Sequence, residues 1–416
     1  MKCDRMMKTA MTVLAGLLTL NAMSDPVISD VVVRQRWPWS RLVDIDYVLT
    51  CGDAQCVDVA ISAYNDSSAL TLPGYSFSGD VYAVSNGARR IVWDPTVTSC
   101  TNAGVLGKFR VALTPSIVPL YMAVDLSGGP SAASYPVTNY LTEADVPGGI
   151  TNDLYKTTHL LLRRIPANTF NMGYNVNRPV TLTKPFYAGV YKVTQRQWEL
   201  VTGDRPSNFT TDYAARPVEK VSYNDIRGAA PAVDWPATGH AVAPASFMGK
   251  LRDKTGLADF DLPTEAQSEC LCRAGTQTYY NDGVAGTPNT ESNAQLNVLG
   301  RYKYNGGMLA DGSAPASDCG TTNGTAVVGS YRANEWGLYD THGNVHEWCL
   351  DWYASNLGTA PVTNPAGPMA SSPSQRTFRG GAFNNPAGDC RSAYRYPAYP
   401  TVQLHVIGFR LVRTLP

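Results

Sequence analysis

Between Val27 and Leu126 apolar and polar residues alternate with a period of two. Val43, Ile45, Tyr47 and Leu49 alternate with Asp44, Asp46 and Val48. Val57, Val59 and Ile61 alternate with Asp58, Ala60 and Ser62, and Phe109, Val111 and Leu113 with Lys108, Arg110 and Ala112. Successive strand side chains point to opposite faces, so each run describes a strand with one buried face. Leu120, Met122, Val124 and Leu126 repeat the spacing. With turn residues between the runs, the pattern predicts a small antiparallel β-sandwich over residues 25–127, comparable to an immunoglobulin or fibronectin module. It holds no catalytic cluster. Cys51 and Cys56 are spaced to brace a hairpin, without the partners of a zinc site.

Gly128 to Thr151 is rich in Gly, Pro, Ser and Thr, and residues 128–154 read as a linker. From 155 to 416 the pattern becomes short helices set among irregular stretches. Thr194 is placed to cap a helix through TQRQWELV. Ser246 starts and Gly256 stops another, and Thr264 with Gln267 forms a capping box that ends before Gly275. After Gly275 periodicity fades. So long a loop-rich stretch needs internal staples such as disulfides or bound cations.

Residues 1–24 carry a basic start, the apolar run Thr9 to Leu20, and Ala22-Met23-Ser24 as a cleavage site, which predicts a signal peptide. The run is too short to span a bilayer, and no other stretch is apolar enough. The expected location is therefore secreted, periplasmic or at the cell surface. Without the leader, 31 positive and 33 negative residues remain, which makes no electrostatic case for nucleic acid or an anionic membrane as partner. Export also changes how the cysteines read. Cys51, Cys56 and Cys100 lie early, and Cys270, Cys272, Cys319, Cys349 and Cys390 late. An even count in an oxidising compartment predicts disulfides, and spacing alone does not choose the pairs.

Seven motifs in order carry a family resemblance: FNMG from Phe170, YKVTQRQWE from Tyr191, RPVEKVSYND from Arg216, LPTEAQSECLCRAGT from Leu262, GLYDTHGNVHEWCLDWY from Gly337, RGGAF from Arg379 and IGFRLVR from Ile407. Residues 155–416 resemble the formylglycine-generating enzyme, or sulfatase-modifying factor, family. The resemblance implies an α+β, largely irregular, C-type-lectin-related domain, here preceded by the small all-β sandwich. Its enzymes oxidise a sulfatase cysteine to formylglycine with copper and O₂, holding Cu(I) on two thiolates in the loop after a Gly-Gly-Ser motif. Here that loop holds only Cys390. Asn384 and Asn385 stand where the first copper cysteine would fall, and Ala382 replaces the serine. Copper is therefore not expected.

The resemblance further implies a structural calcium loop, with the Asp340 and Glu347 carboxylates and the Gly343 and Val345 carbonyls as ligands. A second calcium site begins at Asn297 and Val298, with its remaining half near Asp318 and Gly320. It also implies a bonded Cys390, with Cys272 as partner by analogy and Cys349 as rival. His342 and His346 have the i, i+4 spacing of a helical zinc pair, but Gly343-Asn344 between them argues against a helix.

The expected function is a non-catalytic binding module for an extracellular protein or glycan. Asn384, Asn385, Arg391, Tyr394, Arg395, Tyr396 and Tyr399 form a Tyr/Asn/Arg mixture of the kind adaptable binding surfaces use. Some relatives of this fold are diversified at this segment by retroelements. The alternative is the formylglycine-generating oxidase, or another oxygen-dependent enzyme on the same scaffold.

Overall fold

The structure, a computed structural model, describes residues 25–414 except 37, 53–55, 73–75, 83, 99–107, 174–177, 287–290, 308–322 and 371–373. The expected leader, Cys100, Cys319 and the Asp318–Gly320 half of the second calcium site lie outside the described residues.

The N-terminal region is a two-sheet sandwich. One sheet has the order β1 (Val27–Gln35), β2 (Val43–Thr50), β6 (Gly87–Trp93), β5 (Phe77–Gly79). The other runs β4 (Ser68–Leu70), β3 (Val57–Asn65), β7 (Phe109–Ile117). The alternation works as expected: Val43, Ile45, Tyr47 and Leu49 are all buried, and pack with Val57, Val59 and Trp93. Trp93 stacks on Phe109 with ring centroids 4.7 Å apart, joining the two sheets.

The boundary falls earlier than the pattern predicts. β8 (Tyr121–Asp125) does not join the sandwich. It pairs with β9 (Val137–Tyr140) and with β10 (His159–Ile165), which follows the short helix α1 (Leu154–Thr157). Tyr121 to Val124 are all buried, because this strand is covered on both faces. Alternation identifies a strand but does not say which sheet completes it. The expected linker is accordingly part of the second domain. β9 lies within it, and the buried Tyr135 hydroxyl donates to the Leu200 carbonyl at 2.9 Å. Arg164 of β10 pairs with Asp58 of β3 and ties the two regions together.

The second domain adds β11 (Asn168–Met172), β12 (Arg178–Leu182) and β13 (Phe186–Gly189), then α2 (Gln195–Thr202), α3 (Tyr223–Arg227), α4 (Phe247–Thr255), β14 (Phe260–Asp261) and α5 (Glu265–Arg273). α6 (Leu296–Leu299), β15 (His346–Trp352), β16 (Val362–Thr363), β17 (Arg376–Arg379), β18 (Arg395–Ala398), β19 (Ile407–Gly408) and β20 (Val412–Thr414) follow. The sheets run β14-β20-β13-β10-β8-β9, β11-β12-β16 and β18-β17-β15-β19. The predicted caps are in place. Thr194 and Gln197 close a capping box on α2, Ser246 accepts from the Gly249 N–H on α4, and Thr264 and Gln267 close a box on α5. Trp198 of α2 stacks on Phe247 of α4 at 5.1 Å, and Phe409 meets both edge-on. No helix among the described residues is long and apolar enough to cross a membrane.

Candidate functional site

The RGGAF motif ends β17, and the following loop, residues 380–394, returns into β18. The two strands pair antiparallel, with Arg379 opposite Arg395. A hairpin therefore closes the loop, while Gly408 of the IGFRLVR motif belongs to β19, which pairs with β15. Ion pairs fix the hairpin to α5. Glu265 and Glu269 are four residues apart on α5, so both face the hairpin and both are buried. Arg379 reaches Glu265 Oε1 at 3.1 Å and Glu269 Oε2 at 2.5 Å, and donates to the Ser392 carbonyl at 2.9 Å. Arg395 holds Glu265 through both its Nε and a terminal nitrogen, and donates to the Ala354 carbonyl at 2.7 Å. Burial by itself would raise the Glu265 carboxyl, but Arg379 and Arg395 hold it below the usual carboxylate range.

The loop is folded in upon itself. Gly381 has φ +78°, and a Cβ there would sit 2.5 Å from Cys390 Sγ, so no other residue fits. Asn385 accepts from the Ala382 N–H at 2.9 Å through its side chain and from the Lys303 N–H at 3.0 Å through its carbonyl. Cys390 is fully buried, with Sγ 3.9 Å from the Ala382 carbonyl, and burial pushes its thiol up.

Among the described residues, Cys56, Cys270, Cys272, Cys349 and Cys390 form no disulfide. The expected pairing of Cys390 with Cys272 or Cys349 is therefore not formed in this structure. Cys272 Sγ faces the Thr341 carbonyl at 3.3 Å and the His342 ring at 3.6 Å, and Cys349 Sγ turns toward the Glu347 carbonyl. The buried ion pairs staple this region instead. Burial by itself would raise the Cys272 thiol, but the adjacent His342 ring holds it below the usual thiol range. The His342 Nδ1 bonds the Cys390 carbonyl at 2.7 Å while Nε2 accepts the Asn281 N–H at 3.1 Å, which leaves one proton on the ring. His346 lies on β15 rather than on a helix with His342. Its ring packs edge-on against Phe378 and Tyr396, and burial lowers its pKa to about 3.

The expected calcium ligands are close in sequence but their carboxylates are engaged. Asp340 Oδ2 accepts from the Gly329 N–H at 2.7 Å. Glu347 lies between two buried cations, Lys192 and Arg410. Gly343 keeps the turn at φ +71°, where a Cβ would meet the Arg301 carbonyl at 2.1 Å, and Val345 is buried just before β15. For the second site, Asn297 Oδ1 accepts from the Tyr302 hydroxyl at 2.9 Å, and the Val298 carbonyl accepts from the Arg332 N–H at 2.9 Å.

The face of the hairpin that carries Phe378 and Tyr396 is aromatic and packs on the domain core. Tyr396 stacks on Phe378 at 5.6 Å, its hydroxyl is 3.1 Å from that of Tyr394, and the Arg391 guanidinium sits 5.0 Å above the Tyr394 ring. Tyr399 is half exposed, and Asn384 is partly so. Beside Ala393 opens a cavity of about 270 Å³ lined by Gly173, Arg273, Gln277, Thr278, Tyr279 and Gly286 among others. The Ser392 N–H bonds the Tyr279 carbonyl at 2.8 Å and joins the hairpin loop to this wall. Sequence reading missed Gln277 to Tyr279. They follow a helix stop, and only the paired Tyr279-Tyr280 stands out there.

An irregular α+β domain, with its C-terminal hairpin loop pinned to a capped helix by buried arginines, defines the class of scaffold. The family profile of the sulfatase-modifying factor enzyme 1-like domain matches residues 156–415, and the chain belongs to that family. It is 32% identical over 195 residues to chaperone protein LppX of Paenibacillus barcinonensis, covering 43% of this chain and 66% of that one. It is also 32% identical over 193 residues to the formylglycine-generating enzyme of Thermomonospora curvata, covering 45% and 50%. The matches thus span about half to two thirds of these curated relatives. Among solved structures, Treponema denticola variable protein 1 aligns with a TM-score of 0.47 and 25% identity over 62% of this chain and 96% of that one.

Proposed function

We propose that residues 156–415 form a non-catalytic ligand-binding module of an exported protein. Its binding face would comprise Asn384, Tyr394 and Tyr399, which are at least partly exposed, and the polar cavity beside Ala393. The observation that carries this reading is the state of Cys390. The one thiol of the loop is buried against the Ala382 carbonyl and closed over by Gly381. Cu(I) in a formylglycine-generating site needs two accessible soft thiolates, and Asn384 and Asn385 supply only hard amides. The face itself suits an extracellular glycan or protein. Tyr394, Tyr399 and Tyr279 give rigid contact area, and Gln277, Thr278 and Asn384 give hydrogen bonds.

The test has two arms. Purified protein is assayed for Cu(I) affinity and for conversion of a Cys-x-Pro-x-Arg peptide, and both are expected to be absent. Glycan and protein arrays are then probed with wild type and with Tyr399→Ala and Gln277→Ala, which should lose the ligand while keeping the wild-type melting curve. Turnover that disappears in Cys390→Ser would replace this reading with the oxidase.

A further inference from the structure

Of the calcium ligands implied by the resemblance, Asp340, Gly343, Val345 and Glu347, the last already binds two buried cations of the chain. We infer that the side chain of Lys192 takes the place of the cation in this loop, so that the loop is held without calcium. The inference does not depend on the proposed function.

The geometry at Glu347 carries the argument. Oε1 receives the Lys192 Nζ at 2.6 Å, one Arg410 terminal nitrogen at 2.9 Å and the Arg410 Nε at 3.1 Å. Oε2 is 3.3 Å from the same Nε. The side chains of Lys192 and Arg410 are fully buried, and that of Glu347 is 8% exposed. A calcium ion needs six to eight oxygen ligands at about 2.3–2.6 Å. Here the carboxylate oxygen that would face it already takes three N–H donors. Asp340 is engaged as well: Oδ2 takes the Gly329 N–H, and Oδ1 is 3.4 Å from Asn344 Nδ2.

Charge gives the same answer. Two cations, Lys192 and Arg410, already face the one Glu347 carboxylate. A calcium ion would add two positive charges beside two cations whose side chains are fully buried. Both resident cations are built into the backbone. The N–H of Val193, next to Lys192, bonds the Phe409 carbonyl, next to Arg410, at 3.0 Å. A lysine ammonium is a compact point charge, the nearest side-chain equivalent of a small cation.

The experiment compares wild type with Lys192→Ala by thermal melting in EDTA and in added calcium, and by equilibrium dialysis against calcium. Wild type should melt at the same temperature in both and retain no stoichiometric calcium. Lys192→Ala should melt lower in EDTA and recover in calcium, and adding Asp340→Asn should remove the recovery. A wild-type melting temperature that falls in EDTA, or stoichiometric calcium on wild type, would overturn the inference. A Lys192→Ala protein that is equally stable with and without calcium would also overturn it. If Lys192→Ala does not fold, the two wild-type measurements decide.

Discussion

Arg395 has the composition of a binding-surface residue, yet its contacts belong to the interior, and its replacement separates the two roles. Its side chain is 14% exposed and holds Glu265, whose side chain is 2% exposed, while a third nitrogen serves the Ala354 carbonyl. Changing Arg395 to Ala leaves Glu265 with Arg379 as its remaining guanidinium partner and strips one carbonyl of its donor. Breaking a buried pair from one side costs roughly 3–5 kcal/mol. Because Arg379 still neutralises part of the charge, the lower end applies, about 3 kcal/mol. For a domain of this size that is a fall in melting temperature on the order of 10 °C. Urea and thermal melts of wild type, Arg395→Ala, Glu265→Gln and the double variant give the coupling directly. The two changes together should cost clearly less than their sum. An Arg395→Ala protein within about 1 kcal/mol of wild type that nonetheless loses its ligand would refute the structural assignment and return Arg395 to the binding face.

Gly381→Ala should destabilise more than a surface substitution, since its Cβ meets Cys390 Sγ at 2.5 Å and the backbone is left-handed; chemical denaturation of the variant and of Gly358→Ala, where nothing lies near, checks this. Stability should fall as pH rises from about 5 to 7, because two raised carboxyls outweigh His346, whose lowered pKa works in the opposite direction below about 6.5. Burial, with Glu265 nearby, pushes Asp351 up to about 7, and burial likewise pushes Glu219 up to about 7. A carboxyl whose folded pKa is raised binds more protons in the native state, so its contribution is complete below the unfolded pKa and is lost as pH climbs through 7. Melting temperatures across this range should decline, and Asp351→Asn should flatten the decline; an unchanged slope in the variant would remove Asp351 as the cause.

Local physics made much of this fold legible. The Thr194 cap and the Thr264–Gln267 capping pair announced α2 and α5, because the hydrogen bonds that start a helix are made by residues close in sequence. Alternation gave the sandwich strands, since each has one wet face. The same signal put β8 in the wrong unit, and composition turned the packed β9 segment into a linker. β15 went unseen because all seven of its residues are buried, so a strand bearing His346, Glu347 and Asp351 shows no alternation.

At the site the motifs pointed to the right segments, but the partners of their side chains could not be read from order along the chain. Sequence by itself determined that the RGGAF loop carries a single thiol, that its neighbours are Asn, Tyr and Arg, and that Asp340 and Glu347 lie in one loop. Only the tertiary structure decided that Arg395 closes on Glu265 from 130 residues away and that Lys192 reaches Glu347 across 155. Charge pairing in a water-poor interior depends on distance in space, which the order of residues along a chain does not contain.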